Sequence, residues 1–199
     1  MALEPLKNYW TTVFENCEIL QDELKEADKP IMNHCQKLEF SKGTLQSTFT
    51  FTFASNPFFS NDSLTKTVYF TDPQTPSHSV GTEIKWNSDQ DVTKKVSKKK
   101  QRNKKTGQTR VVEKTEKEDS FFNFFGSIDM KAIDDLDDEE AQQQEDQMNC
   151  DLEIAGIMED EAITYSLEYF LGVAKKDDDD EEGDDDDDDD SDSEEEKPK

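Results

Sequence analysis

Residues 177–196 carry seventeen carboxylates in twenty positions, broken only by Gly183, Ser191 and Ser193, while Lys94–Arg110 carries nine cations and no acid. Runs of this length do electrostatic chemistry. They gather opposite charge along a stretch much longer than a small substrate, so they point to a strongly charged macromolecular partner. Bond-making chemistry has little to work with. The two histidines are His34, beside Cys35, and His78, in a Pro-rich stretch, and neither lies near a nucleophile motif or a phosphate-cradling glycine loop. The chain is therefore read as non-enzymatic, with no cofactor and no resident metal. Asp178, Asp180, Glu182, Gly183 and Asp189 meet part of a calcium-loop spacing, but a poly-Asp run matches such a pattern by accident and promises only loose cation binding. Cys17, Cys35 and Cys150 are far apart, which suits reduced thiols in apolar positions better than a disulfide framework or a metal site.

The elements that must hold these runs come from the rest of the chain. Its 199 residues hold 23 Lys and Arg against 49 Asp and Glu, a net charge of −26. Seventeen acids and two lysines make residues 177–199 −15, which leaves −11 on the first 176. The organisation expected is one acidic domain, residues 1–176, followed by a disordered acidic tail, residues 177–199. Thirteen Phe supply a core for that domain. No run of 18 apolar residues occurs, and Met1–Lys25 lacks the features of a secretory signal, so a soluble intracellular protein with no membrane partner is expected.

Leu6, Trp10, Val13, Phe14, Cys17 and Leu20 recur at spacings of three and four, which predicts one packed helix. A second is predicted from Asp28, with Asp28 as its cap and Pro30 in its first turn. The period then becomes two. Thr48–Phe53 alternates hydroxyls with rings, Gln36–Ser41 precedes it and Leu64–Phe70 follows, which together read as an antiparallel meander. Asp72-Pro73 and Thr75-Pro76 read as breaks, ahead of Glu83–Trp86. Val92–Val96 and Thr109–Lys114 read as a long hairpin whose end is the basic run. Phe121, Phe122, Phe124 and Phe125 are too dense to be left exposed and form either a core plug or a binding patch. Asp134–Gln147 reads as a flexible loop, and Asp151–Leu171 as a closing helix. The fold class is thus α+β: an antiparallel sheet with a long hairpin and helices packed on one face.

Three segments in this order, Lys98–Arg110 (KKKQRNKKTGQTR), Asp119–Phe125 (DSFFNFF) and Asp151–Gly156 (DLEIAG) with Tyr169-Phe170, resemble the nucleosome assembly protein family of histone chaperones. Tyr9–Thr12, Leu64–Thr67 and Gly81–Trp86 add to the resemblance, which covers about residues 3–175. The Lys98–Arg110 stretch and the Asn between the Phe pairs favour that branch over the related template-activating factors. The resemblance implies an acidic α/β domain that binds core histones and passes them to or from DNA without catalysis, in nucleus and cytoplasm. It also implies a homodimer, made through a long helix ahead of the region matching Tyr9-Trp10. The chain begins almost at the end of that helix, which leaves the dimer open for it; a monomer would present half of the acidic surface and bind histones more weakly.

Charge gives the mechanism. A polyanion that occupies histone cations competes with the DNA phosphates for them, and needs no single pose to do so. The candidate histone-binding acids are Asp134, Asp135, Asp137, Asp138, Glu139 and Glu140, then Glu159, Asp160 and Glu161 on the domain, with Asp177, Asp178, Asp179, Asp180, Glu181 and Glu182 in the tail. Lys98, Lys99, Lys100, Arg102, Lys104 and Lys105 resemble a nuclear import signal that an import receptor would read. Direct DNA binding and an internal contact with the acidic tail are the other readings of that segment, and no sequence-specific DNA binding is expected. Ser191 and Ser193, each with Glu three residues on, are candidates for phosphorylation by an acid-directed kinase. A nuclear transport adaptor, or an inhibitor that mimics nucleic acid, is the alternative to a chaperone.

Overall fold

A computed structural model describes residues 6–102, 109–130, 132 and 136–174. The first apolar stripe does not form one helix. It forms α1 (Tyr9–Asn16) and α2 (Glu18–Glu23), separated at Cys17, whose backbone is extended. Both halves still pack, with Val13, Phe14, Cys17 and Leu20 at most 1% exposed, but Leu6 lies outside the stripe at 59%. The short α3 (Lys29–Met32) follows, with Pro30 in its first turn as expected.

The expected meander is present and runs on by two strands. β1 (Cys35–Lys42), β2 (Gln46–Phe53), β3 (Ser63–Asp72) and β4 (Thr75–Gly81) are antiparallel neighbours in that order. The Thr75-Pro76 break is in fact inside β4. Pro76 is tolerated there because it pairs with Phe70 at a register shift, where regular ladder donors are not required. Glu83–Trp86 makes only a single bridge, Trp86 to Phe59. β5 (Lys94–Arg102) and β6 (Thr109–Lys117) pair with each other alone, as the expected hairpin. A 3-10 helix, Phe121–Phe125, leads to β7 (Ile128–Asp129), which completes the five-stranded sheet beside β4.

The Phe cluster is a core plug. Phe121, Phe122, Phe124 and Phe125 are all buried and meet Phe49, Phe51 and Phe53, the inward face of β2, with Phe51 5.3 Å from Phe125 edge-to-face. Phe14 of α1 completes the contact at 5.2 Å from Phe121. Such edge-on ring pairs add to the area buried. Gly81 permits the close seating of the turn on β4, because a Cβ there would lie 1.8 Å from the Phe125 carbonyl oxygen.

The Asp134–Gln147 stretch departs most from expectation. It is helical from Asp138, and α4 (Asp138–Ile157) continues through a π-helical turn, Met158–Ile163, to α5 (Ser166–Leu171). Asp137 caps α4 by accepting from the Glu140 N–H at 2.9 Å, and three acids in the first turn suit the positive end of the helix. The closing helix buries Met148, Ile154, Ala155, Met158 and Ala162. Tyr165, Leu167 and Leu171 are more than half exposed, although the Phe170 ring packs against Tyr9, tilted, at 4.7 Å.

Candidate functional site

The cap and first turn of α4 and the π-turn carry the described candidate acids, and the structure sorts them. Asp138, Glu139, Glu140 and Asp160 are exposed and have no ionic partner among the described residues. Asp137 is exposed too, but one oxygen is occupied by the helix cap. Glu159 pairs with Lys42 at 2.6 Å, a bond that raises the Lys42 ammonium above its ordinary range. Glu161 turns inward. Its Oε2 accepts from the Tyr169 hydroxyl at 2.6 Å, and burial together with that carboxylate holds the phenol up. Of the nine domain acids, Glu161 is therefore a brace between the π-turn and α5 and not a free surface charge. Asp134, Asp135 and the tail acids Asp177, Asp178, Asp179, Asp180, Glu181 and Glu182 lie outside the described residues, as do Ser191 and Ser193.

The basic run is displayed on a sheet of its own. Lys98, Lys99, Lys100 and Arg102 are on β5, opposite Glu113, Val112, Val111 and Thr109 in register, whereas Lys104 and Lys105 lie outside the described residues. At the foot of the hairpin the cations are neutralised locally: Lys94 by Asp91 at 3.2 Å, Lys95 by Glu118 at 3.1 Å and Lys114 by Glu116 at 2.6 Å.

Sequence reasoning missed the buried charges. Lys66 and Asp151 are both fully buried, and the Lys66 Nζ lies 2.5 Å from Asp151 Oδ2 while also donating to the Gly126 carbonyl at 2.6 Å. Burial pulls the ammonium down and pushes the carboxyl up, and each partner opposes that shift in the other. Asp151 Oδ1 accepts from Gln147 Nε2 at 2.9 Å, and the Gln147 oxygen accepts from the Lys117 ammonium at 3.0 Å. A chain of polar contacts thus joins β6, α4, β3 and the Phe turn. The sequence does hold a trace of it, since Lys66 breaks the β3 alternation at a position that must face the core.

Asp28 is the second missed group. It makes no cap for α3. Instead it accepts from Ser120 Oγ at 2.6 Å, the Phe121 N–H at 2.8 Å and the Lys25 N–H at 3.0 Å, which pins the Phe turn to the helical layer. Burial raises its carboxyl above the ordinary range, and these donors offset only part of that rise. Among the cysteines, Cys17 and Cys35 are buried as expected, but Cys150 is half-buried. Burial pushes the Cys35 thiol up to about 12, which makes it inert.

Among the described residues no cluster of His, Cys, Asp or Glu is placed to hold a metal ion, and no helix is long and apolar enough to cross a membrane. The class is that of an α+β domain, one five-stranded antiparallel sheet backed by helices, with a two-stranded basic hairpin outside that sheet. A family model described as nucleosome assembly protein (NAP) matches residues 2–173, and the chain belongs to that family. It is 36% identical over 187 residues to nucleosome assembly protein 1-like 1 of Xenopus tropicalis, covering 86% of this chain and 47% of that protein. It is 35% identical over 174 residues to nucleosome assembly protein 1;2 of Oryza sativa subsp. indica, covering 85% and 48%. The chain thus spans about half the length of these curated relatives. The solved structure of nucleosome assembly protein 1 from Plasmodium knowlesi superposes with a TM-score of 0.65 at 27% identity, covering 85% of this chain and 69% of that one.

Proposed function

We propose that the chain is a histone chaperone that binds core histones through its acidic helical layer and acidic tail, and shields them from nonspecific DNA contact as nucleosomes are assembled or taken apart. The family match over residues 2–173 carries this reading. The exposed, unpaired carboxylates of Asp138, Glu139, Glu140 and Asp160 support it, because unpaired charges remain available to a cationic partner. Function here needs no catalysis: carboxylates displace the DNA phosphates from histone cations by mass action, at a rate raised by long-range attraction. The domain, residues 1–176, supplies shape; the tail, residues 177–199 with Ser191 and Ser193 as sites of added charge, supplies rate and avidity. The protein works in nucleus and cytoplasm.

A second role for the hairpin is favoured by its standing apart from the five-stranded sheet. Lys98, Lys99, Lys100, Arg102, Lys104 and Lys105 serve as an import signal on it, and a chain in which that role dominates is a transport adaptor.

The test is a titration of core-histone dimers and tetramers against the full chain and against a chain ending at Lys176, at about 0.15 and about 0.5 M salt, where screening differs strongly. Binding by the shorter chain at the higher salt is the expected result. Binding that vanishes with the tail or the salt would leave a polyanion acting alone and favour the adaptor.

A further inference from the structure

The first half of α4 and the Phe turn enclose a groove of about 470 Å³, walled by Glu140, Gln143, Gln144 and Gln147 on one side and by Asn123 and Ser127 on the other. Residues 140, 143, 144 and 147 are spaced by three and four, so they share one face of the helix. Two neighbours are already committed. Gln147 uses its oxygen on Lys117 and its nitrogen on Asp151, and the Asn123 nitrogen donates to the Glu118 carbonyl at 2.9 Å. The carboxamides of Gln143 and Gln144 make no hydrogen bond to the described residues, whereas that of the adjacent Gln142, off this face, donates to Asp146 at 2.8 Å.

A carboxamide carries one acceptor and two donors, the complement of a peptide group. Two free carboxamides one residue apart along a groove therefore suit an extended backbone, whose own amides have no internal partners. The charge around the groove selects the sequence of that backbone. The cap Asp137 and the first-turn acids Asp138, Glu139 and Glu140 lead into it, against the ammonium of Lys117, which Gln147 holds.

We propose that this groove binds an extended lysine- or arginine-rich segment of a core histone, with Gln143 and Gln144 bonding its backbone and Glu140 its cations. The identity of the partner rests on the histone-binding reading above; the groove, its carboxamides and its charge do not.

The probe is a short synthetic peptide of lysine, alanine and glycine, compared by fluorescence anisotropy with a backbone N-methylated version of equal charge. The full chain is used at about 0.5 M salt, so that the tail is screened. N-methylation is expected to weaken binding about tenfold, the loss of one or two ordinary hydrogen bonds. Gln143→Ala with Gln144→Ala should cost the unmodified peptide the same and the methylated peptide nothing further. Alanine favours the helix, so an unchanged melting curve is expected. Equal binding of the two peptides, or an unaltered affinity in the double variant, would overturn the groove. Core-histone dimers run in parallel separate the two readings: if they bind the full chain while the groove variant shows no peptide defect, only the groove falls. If they do not bind at all, the chaperone reading falls with them.

Discussion

The two sheets are held together by different forces. The five-stranded sheet has an inward face of rings, Phe49, Phe51 and Phe53, closed by the Phe turn and by α1, and its buried ammonium, Lys66, is bonded to both Asp151 and the Gly126 carbonyl. Among its described side chains, the β5–β6 sheet shows no such face. Val96 is 55% exposed, and the described side chains at its foot meet each other through surface ion pairs. Burial organises the first and local hydrogen bonding the second.

That contrast predicts a steep gradient of mutational effect. Lys66→Met leaves the Asp151 carboxylate buried without its cation, and should destabilise the chain by about 3–5 kcal/mol in urea denaturation. Lys66→Met with Asp151→Leu should recover most of that loss. A double variant as unstable as the single would mean that Gln147 and Gly126, not the charge pair, dominate the network. Phe51→Ala, in the same core, should cost a similar about 3–5 kcal/mol through its cavity.

Gly81→Ala comes next. The added methyl meets the Phe125 backbone and must displace the Phe turn, an overpacking worth about 1–3 kcal/mol. A melting temperature equal to that of the parent would show that the turn is not seated on β4 as described.

Asp28 gives a test by pH. Its folded carboxyl is raised above the ordinary value of 3.8, so between those two values the folded chain holds a proton that the unfolded chain has released. Stability from this group is full below 3.8 and is lost as pH rises through the folded value. Asp28→Asn should remove that part of the pH dependence. An unaltered slope would place the titration elsewhere.

The smallest effect belongs to the hairpin. Lys95→Ala breaks an exposed pair with Glu118, and should change stability by no more than about 1 kcal/mol. A loss as large as that of Lys66→Met would erase the distinction between the two sheets.

The extent to which each part was legible follows the same divide. The Thr-Phe alternation of β2 could be read because a half-buried strand must alternate, and the Phe plug because four rings in five residues cannot be left in water. The first half of α4 escaped because its inward side is nearly bare of apolar residues, so it has no period to detect. Its cap was visible even so: Asp137 followed three residues later by Glu140, in a run of Glu, Gln and Ala, is a helix start in composition. Pro76 misled because proline usually ends a strand, and only the register shift at Phe70 shows why it does not here.

Among the candidate acids, the sequence marks the residue type but not what each side chain meets. Glu159, Asp160 and Glu161 are consecutive in sequence, yet one pairs with Lys42, one is free and one braces Tyr169. Successive helical residues point about 100° apart, so their neighbours come from different elements.

The sequence alone determined the family, the alternation of the strands, the basic hairpin and the excess of negative charge, because each is written in residues close together along the chain. Only the tertiary structure decided which charges are spent and which are free. Lys66 meets Asp151 across 85 residues, and Asp28 meets Ser120 across 92. Such pairings depend on how helices and sheet settle against a shared core, and no local pattern records that.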